Sequence, residues 1–414
     1  MGKQDDTGGG PDAIDEGKGV SVIPPWATHW LDEGKLPFNA ETYVVRSAAI
    51  SGRWAALGRG SKVLGVIPFV VVEVFFRTWL GTWEHYQTLT SSADNPGEFG
   101  GAIALDGETL VIGAAPLGDE DTSVNGYVEV FGLEQQESGN GFVSTWVWQQ
   151  TLEPPPPKCD PQDLPFTTSM MFGGAVHLAG DTLLVGAGRF DGGRGRAYLF
   201  QRQDGVWPTT PLIMRGDPDL TDVNFGQIVV HSGNTIAVAQ RGGDTPNDVP
   251  PVPGRVCFFD LNGQTTYPDL LNSLGADNFA GCALALEGNT LVVGSVDGLV
   301  VFNNSNDAWI PSTTLTVTKP LDPSISAPPI TVALAEGMLF VGSLTKAGTV
   351  NVYQSKIPGA WGHIQTLVDP AASGSAPTVV AVSGNSAVIA SATTARVFSH
   401  SGGVDPRPPL PEFL

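Results

Sequence analysis

Basic residues are scarce in this chain, as are cysteines and long apolar runs. Twenty-one lysines and arginines stand against 42 acidic residues in 414, a formal net charge of −21. That balance argues against nucleic acid or an anionic membrane as partner and favours solubility or a cationic partner. The three cysteines, Cys159, Cys257 and Cys282, cannot all pair internally, and their spacing suits no metal site, so we expect no disulfide framework. The longest apolar stretch, Val63 to Phe76, is broken by Pro68 and Glu73 and is too short to span a bilayer. The first twenty residues lack the apolar core of a signal peptide. Asp6 occupies the place where a myristoylation motif requires Ser or Thr. We therefore expect a soluble protein with no membrane insertion. No stretch has the period of an amphipathic helix.

What the chain does have is repetition. Seven units share one pattern: an apolar run, a tight glycine turn, a second apolar run ending in a small residue, and a third run ending in an aromatic. The turn glycines are Gly52, Gly107, Gly180, Gly233, Gly288, Gly337 and Gly384. After them come runs such as Leu110–Gly113, Leu183–Gly186 and Leu291–Gly294, too short and too β-branched for helices. The third runs end at Phe76, Phe131, Phe200, Phe259, Phe302, Tyr353 and Phe398. A fourth begins with Trp and reaches Leu six residues on, as from Trp83 to Leu89, Trp146 to Leu152, Trp309 to Leu315 and Trp361 to Leu367. The third copy is shorter, Trp207 to Leu212, and the fourth has Tyr267 where the Trp would stand.

Each unit is thus four antiparallel strands, A to D. A unit of that size cannot bury its own apolar face, so the copies must pack on one another. An open sheet would leave long exposed edges, whereas a ring of blades leaves only short ones. The expected fold is all-β: a seven-bladed β-propeller of four-stranded antiparallel blades over residues 21–400. It is flanked by a polar, Gly-rich tail at 1–20 and a Pro-rich tail at 401–414. The seventh copy has no fourth strand, and Trp26–Leu31 lies unmatched before the first copy. We expect Trp26–Leu31 to complete the last blade and so pair the two ends of the chain.

Phe-Gly before strand A and Gly-Ala-Pro after strand B resemble the FG-GAP repeats of integrin α-subunit propellers. Phe99-Gly100 with Gly113-Ala114-Ala115-Pro116 matches most fully, Phe172-Gly173 and Phe225-Gly226 keep the first half, and Phe279-Ala280-Gly281 is a variant. The resemblance implies a propeller used for binding or adhesion outside the cell or on its surface. It also raises the calcium site of those proteins, an Asp-rich loop between strands A and B. Here that position holds only two residues, Asp106-Gly107 or equivalents such as Gly180-Asp181, too few to wrap six or seven oxygens round an ion. We expect no metal there and no cofactor.

In such a ring the A–B and C–D turns lie at one end, and the B–C and D–A loops at the other. The long, variable loops are mostly of the second kind, and binding groups sit on loops held by a rigid frame. The candidates are Asp119, Glu120, Asp121, Asp160, Asp163, Asp217, Asp219, Asp222, Asp244 and Asp248. Each is an ordinary turn former on its own, since Asp bonds its own backbone, and only their density points to a site. The leading expectation is a non-enzymatic, monomeric binding module with a protein or glycan partner. One alternative is a structural or assembly scaffold. The other is a propeller hydrolase or lyase with its site in the central channel. No Gly-x-Ser-x-Gly elbow, phosphate loop or His-Glu-x-x-His supports the last of these. Its only support is His177 and His231 on strands A beside the channel. Alternation along the strands assigns Glu73 and Glu129 to outward positions, and Glu336 likewise.

Overall fold

The computed structural model describes residues 29–38, 43–61, 71–93, 96–116, 125–138, 141–155, 171–188, 194–216, 224–240, 254–267, 270–271, 283–295, 298–306, 308–316, 331–343, 346–357, 360–372 and 378–400. Within them there are 28 strands and no helix. Strand β1 (Trp30–Lys35) comes first. Blade 1 is β2 (Tyr43–Ser51), β3 (Trp54–Ser61), β4 (Val71–Arg77) and β5 (Trp83–Leu89). Blade 2 is β6 (Glu98–Asp106), β7 (Thr109–Ala115), β8 (Tyr127–Ser138) and β9 (Gly141–Leu152). Blade 3 is β10 (Phe172–Ala179), β11 (Thr182–Ala187), β12 (Arg196–Gln201) and β13 (Leu212–Met214). Blade 4 is β14 (Phe225–Ser232), β15 (Thr235–Gln240), β16 (Arg255–Phe259) and a β17 of only Leu270–Leu271. Blade 5 is β18 (Ala283–Glu287), β19 (Thr290–Ser295), β20 (Gly298–Ser305) and β21 (Ala308–Thr316). Blade 6 is β22 (Val332–Ala335), β23 (Met338–Gly342), β24 (Thr349–Ile357) and β25 (Ala360–Val368). Blade 7 is β26 (Val379–Ser383), β27 (Ser386–Ala390) and β28 (Ala395–His400), with β1 as its fourth strand.

Every sheet is four-stranded and antiparallel, six of them sequential meanders, and consecutive A strands touch all the way round, β26 meeting β2. The protein is a seven-bladed β-propeller. Both faces of each blade pack on neighbours, so strands B read as unbroken apolar runs; all of β7, β11 and β23 is buried. The described core divides into seven apolar clusters, one at each blade interface.

The ring is closed by β1, but at a register different from the expected one. The closing strand is Trp30–Lys35, antiparallel to β28 with Trp30 opposite His400 and Leu31 opposite Ser399; Trp26 lies outside the described residues. Trp30 and Leu36, six residues apart, are the buried pair that corresponds to Trp83 and Leu89. Leu31, taken as the terminal anchor, is exposed. The signal lay in the six-residue spacing itself, which Trp26–Leu31 does not obey.

The glycines mark where backbones of adjacent blades meet. Strand A of blade 2 bulges between Phe99 and Ala102, with Gly100 at φ +83°. The bulge sets the Gly100 carbonyl against Gly58 of blade 1, where a Cβ would fall on that oxygen. Gly173 repeats the arrangement on Gly113, and Gly226 on Gly186. The Phe-Gly of one unit and the small residue ending strand B of the unit before it are therefore two halves of one inter-blade contact. The A–B hairpins carry the sign of type II′ turns, Gly first with positive φ. Blade 6 differs: Glu336 (φ +52°) and Gly337 (φ +67°) are both positive, the type I′ pattern, so Gly337 is the second turn residue and not the first.

Candidate functional site

The A–B turns are short and tied to one another. The Gly107 amide donates to Ser51 Oγ of the preceding blade at 3.0 Å, and Gly180 to Asp106 Oδ2 at 2.7 Å. Gly288 donates to Ser232 Oγ at 2.9 Å, and Gly337 to Glu287 Oε2 at 3.1 Å. In each case the last side chain of one strand A satisfies a turn amide of the next blade. This end of the ring is thereby pinned by its own polar groups. It does carry one hollow of about 340 Å³ between blades 2 and 3, bordered by Asp106, Glu108 and Arg202. Arg202 is already held there by Asp181 at 2.7 Å and Thr109 at 3.1 Å.

The opposite end bears the B–C and D–A loops. Asp119, Glu120, Asp121, Asp160, Asp163, Asp217, Asp219, Asp222, Asp244 and Asp248 all lie outside the described residues. What is described at this end, called the floor below, is the set of strand ends, and it is rich in arginine. Arg46 lies in the first half of strand A of blade 1, and Arg59 two residues before the end of its strand B. Arg194 and Arg196 lead into strand C of blade 3, Arg255 starts strand C of blade 4, and Arg215 follows β13. Arg396 is the second residue of strand C of blade 7. Seven arginines thus stand at this end, a counter-charge that reading the loops alone had missed. The signal for it was present, since most of these arginines flank the gaps between strands B and C.

Several carboxylates of the floor are buried and paired. Arg59 Nη1 meets Glu73 Oε1 at 2.6 Å with both side chains shielded, and the Arg59 guanidinium also lies 4.8 Å over the Phe38 ring. Arg396 spans Asp32 at 2.6 Å and the buried Asp369 at 3.4 Å. Glu129 is fully buried; its Oε1 accepts from Ser91 Oγ (3.0 Å), Ser92 N (3.0 Å) and Ser92 Oγ (2.8 Å). Its Oε2 has no hydrogen-bond partner among the described residues. Burial pushes the Tyr127 hydroxyl above its ordinary pKa, and the Glu129 charge acts the same way against the Ser91 hydrogen bond. The outward placement expected for Glu73 and Glu129 is therefore wrong. A blade packed on both faces has no solvent side for alternation to select. Glu336 differs from both, standing in the A–B turn of blade 6.

At the mouth of the channel on this same end lies a hollow of about 540 Å³. Val44, Val45 and Val379 give it an apolar wall, and the Arg46–Glu98 pair, 3.4 Å apart and partly exposed, gives it a polar edge. Its size is that of small-ligand pockets, and its groups can accept both apolar and hydrogen-bonding contacts.

His177 and His231 pack against each other across a blade interface. They occupy the position between blades 3 and 4 at which the other interfaces carry apolar pairs, such as Ala49 with Leu105, Ala104 with Leu178, and Val230 with Leu286. The rings meet edge-to-face at 5.6 Å, and His177 Nε2 lies 3.1 Å from the His231 carbonyl, to which it donates. Burial pushes the His177 pKa down to about 4, with the His231 charge acting the same way. Burial also lowers that of His231. Both rings are thus neutral at pH 7, and the pair packs two blades together.

Among the described residues, no three His, Cys, Asp or Glu side chains gather as a metal site. No helix there is long and apolar enough to cross a membrane. Cys257 is buried, while Cys159 and Cys282 lie outside the described residues. No family model matches the sequence, and no curated protein matches it.

Proposed function

We propose that the protein is a non-enzymatic binding module, an FG-GAP-like propeller whose loop-bearing end engages a protein or glycan. One observation carries this reading: the two ends of the ring are built differently. At one end the two-residue turns are latched to each other through Ser51, Asp106, Ser232 and Glu287. At the other, the described strand ends carry arginines and buried carboxylates, and a hollow of about 540 Å³ opens among them. A rigid frame with variable loops at one end is the arrangement by which scaffolds separate stability from recognition. Acidic loop sequences joined to arginine-bearing strand ends favour a partner with spaced charge or many hydroxyls over a uniformly basic one.

The test replaces residues 117–124 and 241–253 by short glycine turns and compares capture from native lysate and surface extract with that of the intact chain. Both baits must first unfold at the same temperature. A partner held by the intact chain and lost by the variant supports the reading. Equal capture by both would remove it.

A further inference from the structure

Strand β1 reaches its place in blade 7 by a route unlike that of any other outer strand. Each other fourth strand follows its own strand C, whereas β1 precedes β28 by most of the chain and is joined to the ring only through the residues leading into β2. All else that holds it is non-covalent, and these contacts form a recognition site in three parts. The edge of β28 supplies the backbone ladder, from Trp30–His400 to Lys35–Arg396. A pocket including Met338, Phe340, Ile389 and Phe398 takes the Trp30 indole, which meets the Phe340 ring edge-on at 5.0 Å. Two cationic posts take consecutive carboxylates: Arg396 Nη1 binds Asp32 Oδ2 at 2.6 Å, and Arg77 binds Glu33, which also accepts from Trp83 Nε1 at 3.0 Å. Ladder, aromatic pocket and charge posts are the components by which sheet edges bind extended peptides.

We propose that this groove accepts the Trp30–Leu36 strand in trans as well as in cis, so that two copies of the chain assemble by exchanging their closing strands. The partner is a second copy, and its recognition element is Trp, two residues later Asp-Glu, and Leu six residues after the Trp. Every contact made within one chain is available between two, so exchange alters the tether and not the interface. The tether gives the strand an effective concentration on the order of millimolar, which keeps dilute chains closed on themselves. Exchange then becomes visible at high protein concentration, or after mild denaturant has opened the closed form.

The test uses two full-length single variants, Leu31→Cys and Ser399→Cys, at positions that face each other across β1 and β28. The variants are mixed, incubated in sub-denaturing urea, returned to buffer and oxidised. The double variant in one chain is the geometric control, and each single variant alone gives the background from the native cysteines. The proposal predicts a disulfide-linked pair formed only in the mixture. Its yield should rise with concentration and fall at least about tenfold when Trp30→Ala is added to the Leu31→Cys chain. Linked dimers no more abundant in the mixture than in either variant alone would overturn it. So would a wild-type chain that sediments as monomer at every concentration after the same treatment. Because no loop takes part, failure here leaves the proposed binding role standing, and loss of that role leaves this result untouched.

Discussion

Gln365 holds Trp30 by both of its backbone groups. Its Oε1 accepts from the Trp30 amide at 2.8 Å, and its Nε2 donates to the Trp30 carbonyl at 2.9 Å, across 335 positions of sequence. Gln87 grips Trp146 in the same way, with both bonds at 2.9 Å, and Gln150 donates to the Trp207 carbonyl at 3.0 Å. A glutamine in one outer strand thereby covers the open edge of the next, which would otherwise present unpaired backbone groups.

Removing that grip should weaken the ring where its two ends meet. Gln365→Ala is expected to cost about 1–3 kcal/mol, the usual range for a pair of partly buried hydrogen bonds. Gln87→Ala should cost a similar amount. Urea unfolding of the full chain, followed by tryptophan fluorescence, measures both; a change below about 0.5 kcal/mol at Gln365 would deny the clamp a part in closure.

Two tryptophans separate anchoring from display. Trp30 is 3% exposed in an apolar cluster, while Trp79 is 77% exposed at the tip of the blade 1 C–D turn. Trp30→Ala should destabilise by about 3–5 kcal/mol and Trp79→Ala by less than about 0.5 kcal/mol. Thermal unfolding that ranked them in the reverse order would displace β1 from blade 7.

Glycines with different duties should respond differently to a methyl group. At Gly113 an added Cβ would meet the Gly173 carbonyl, so Gly113→Ala must push two blades apart, at an expected cost above about 2 kcal/mol. Around Gly107 the space is open, and only its φ of +56° opposes alanine, which should cost about 1–2 kcal/mol. Equal costs at the two sites, read from denaturation midpoints, would contradict the inter-blade role of the first.

The histidine pair makes a pH prediction. His177 has a folded pKa of about 4, below its unfolded value of 6.5, so protons bind the unfolded chain more readily. Stability from this site is complete above pH 6.5, falls as the pH drops from 6.5 towards 4, and is lost below that. His231, lowered by burial, acts in the same direction, and the Asp106 charge opposes the shift at His177. The variant His177→Val/His231→Leu copies the pair at the next interface, Val230 with Leu286, and should flatten this part of the stability–pH curve. An unchanged slope between pH 6.5 and 4 would refute the assignment.

Sequence reading succeeded where the signal is local. Turn glycines such as Gly107 and apolar runs such as Leu110–Gly113 define hairpins by themselves, and seven copies then compel a ring. It failed where both faces of a strand are buried. Glu129 lies between Val128 and Val130 and so reads as outward, yet all three are fully buried because neighbouring blades cover each side. His177 and His231 stand on strands A, as read; what the sequence did not show is that they meet each other between blades 3 and 4. The closing strand was displaced by four residues because Trp26 and Trp30 both precede a leucine, and only the six-residue rule distinguishes them. The arginine floor went unseen because the acidic loops were read without the strand ends that carry them.

The measurement that bears most directly on the binding role is amide hydrogen exchange of the full chain, with and without a partner or glycan captured by it. The account predicts slowed exchange in peptides covering residues 117–126, 213–224 and 241–254, with the turns at Gly107, Gly180 and Gly288 unchanged. Protection confined to those turns would place recognition at the opposite end of the ring and contradict it.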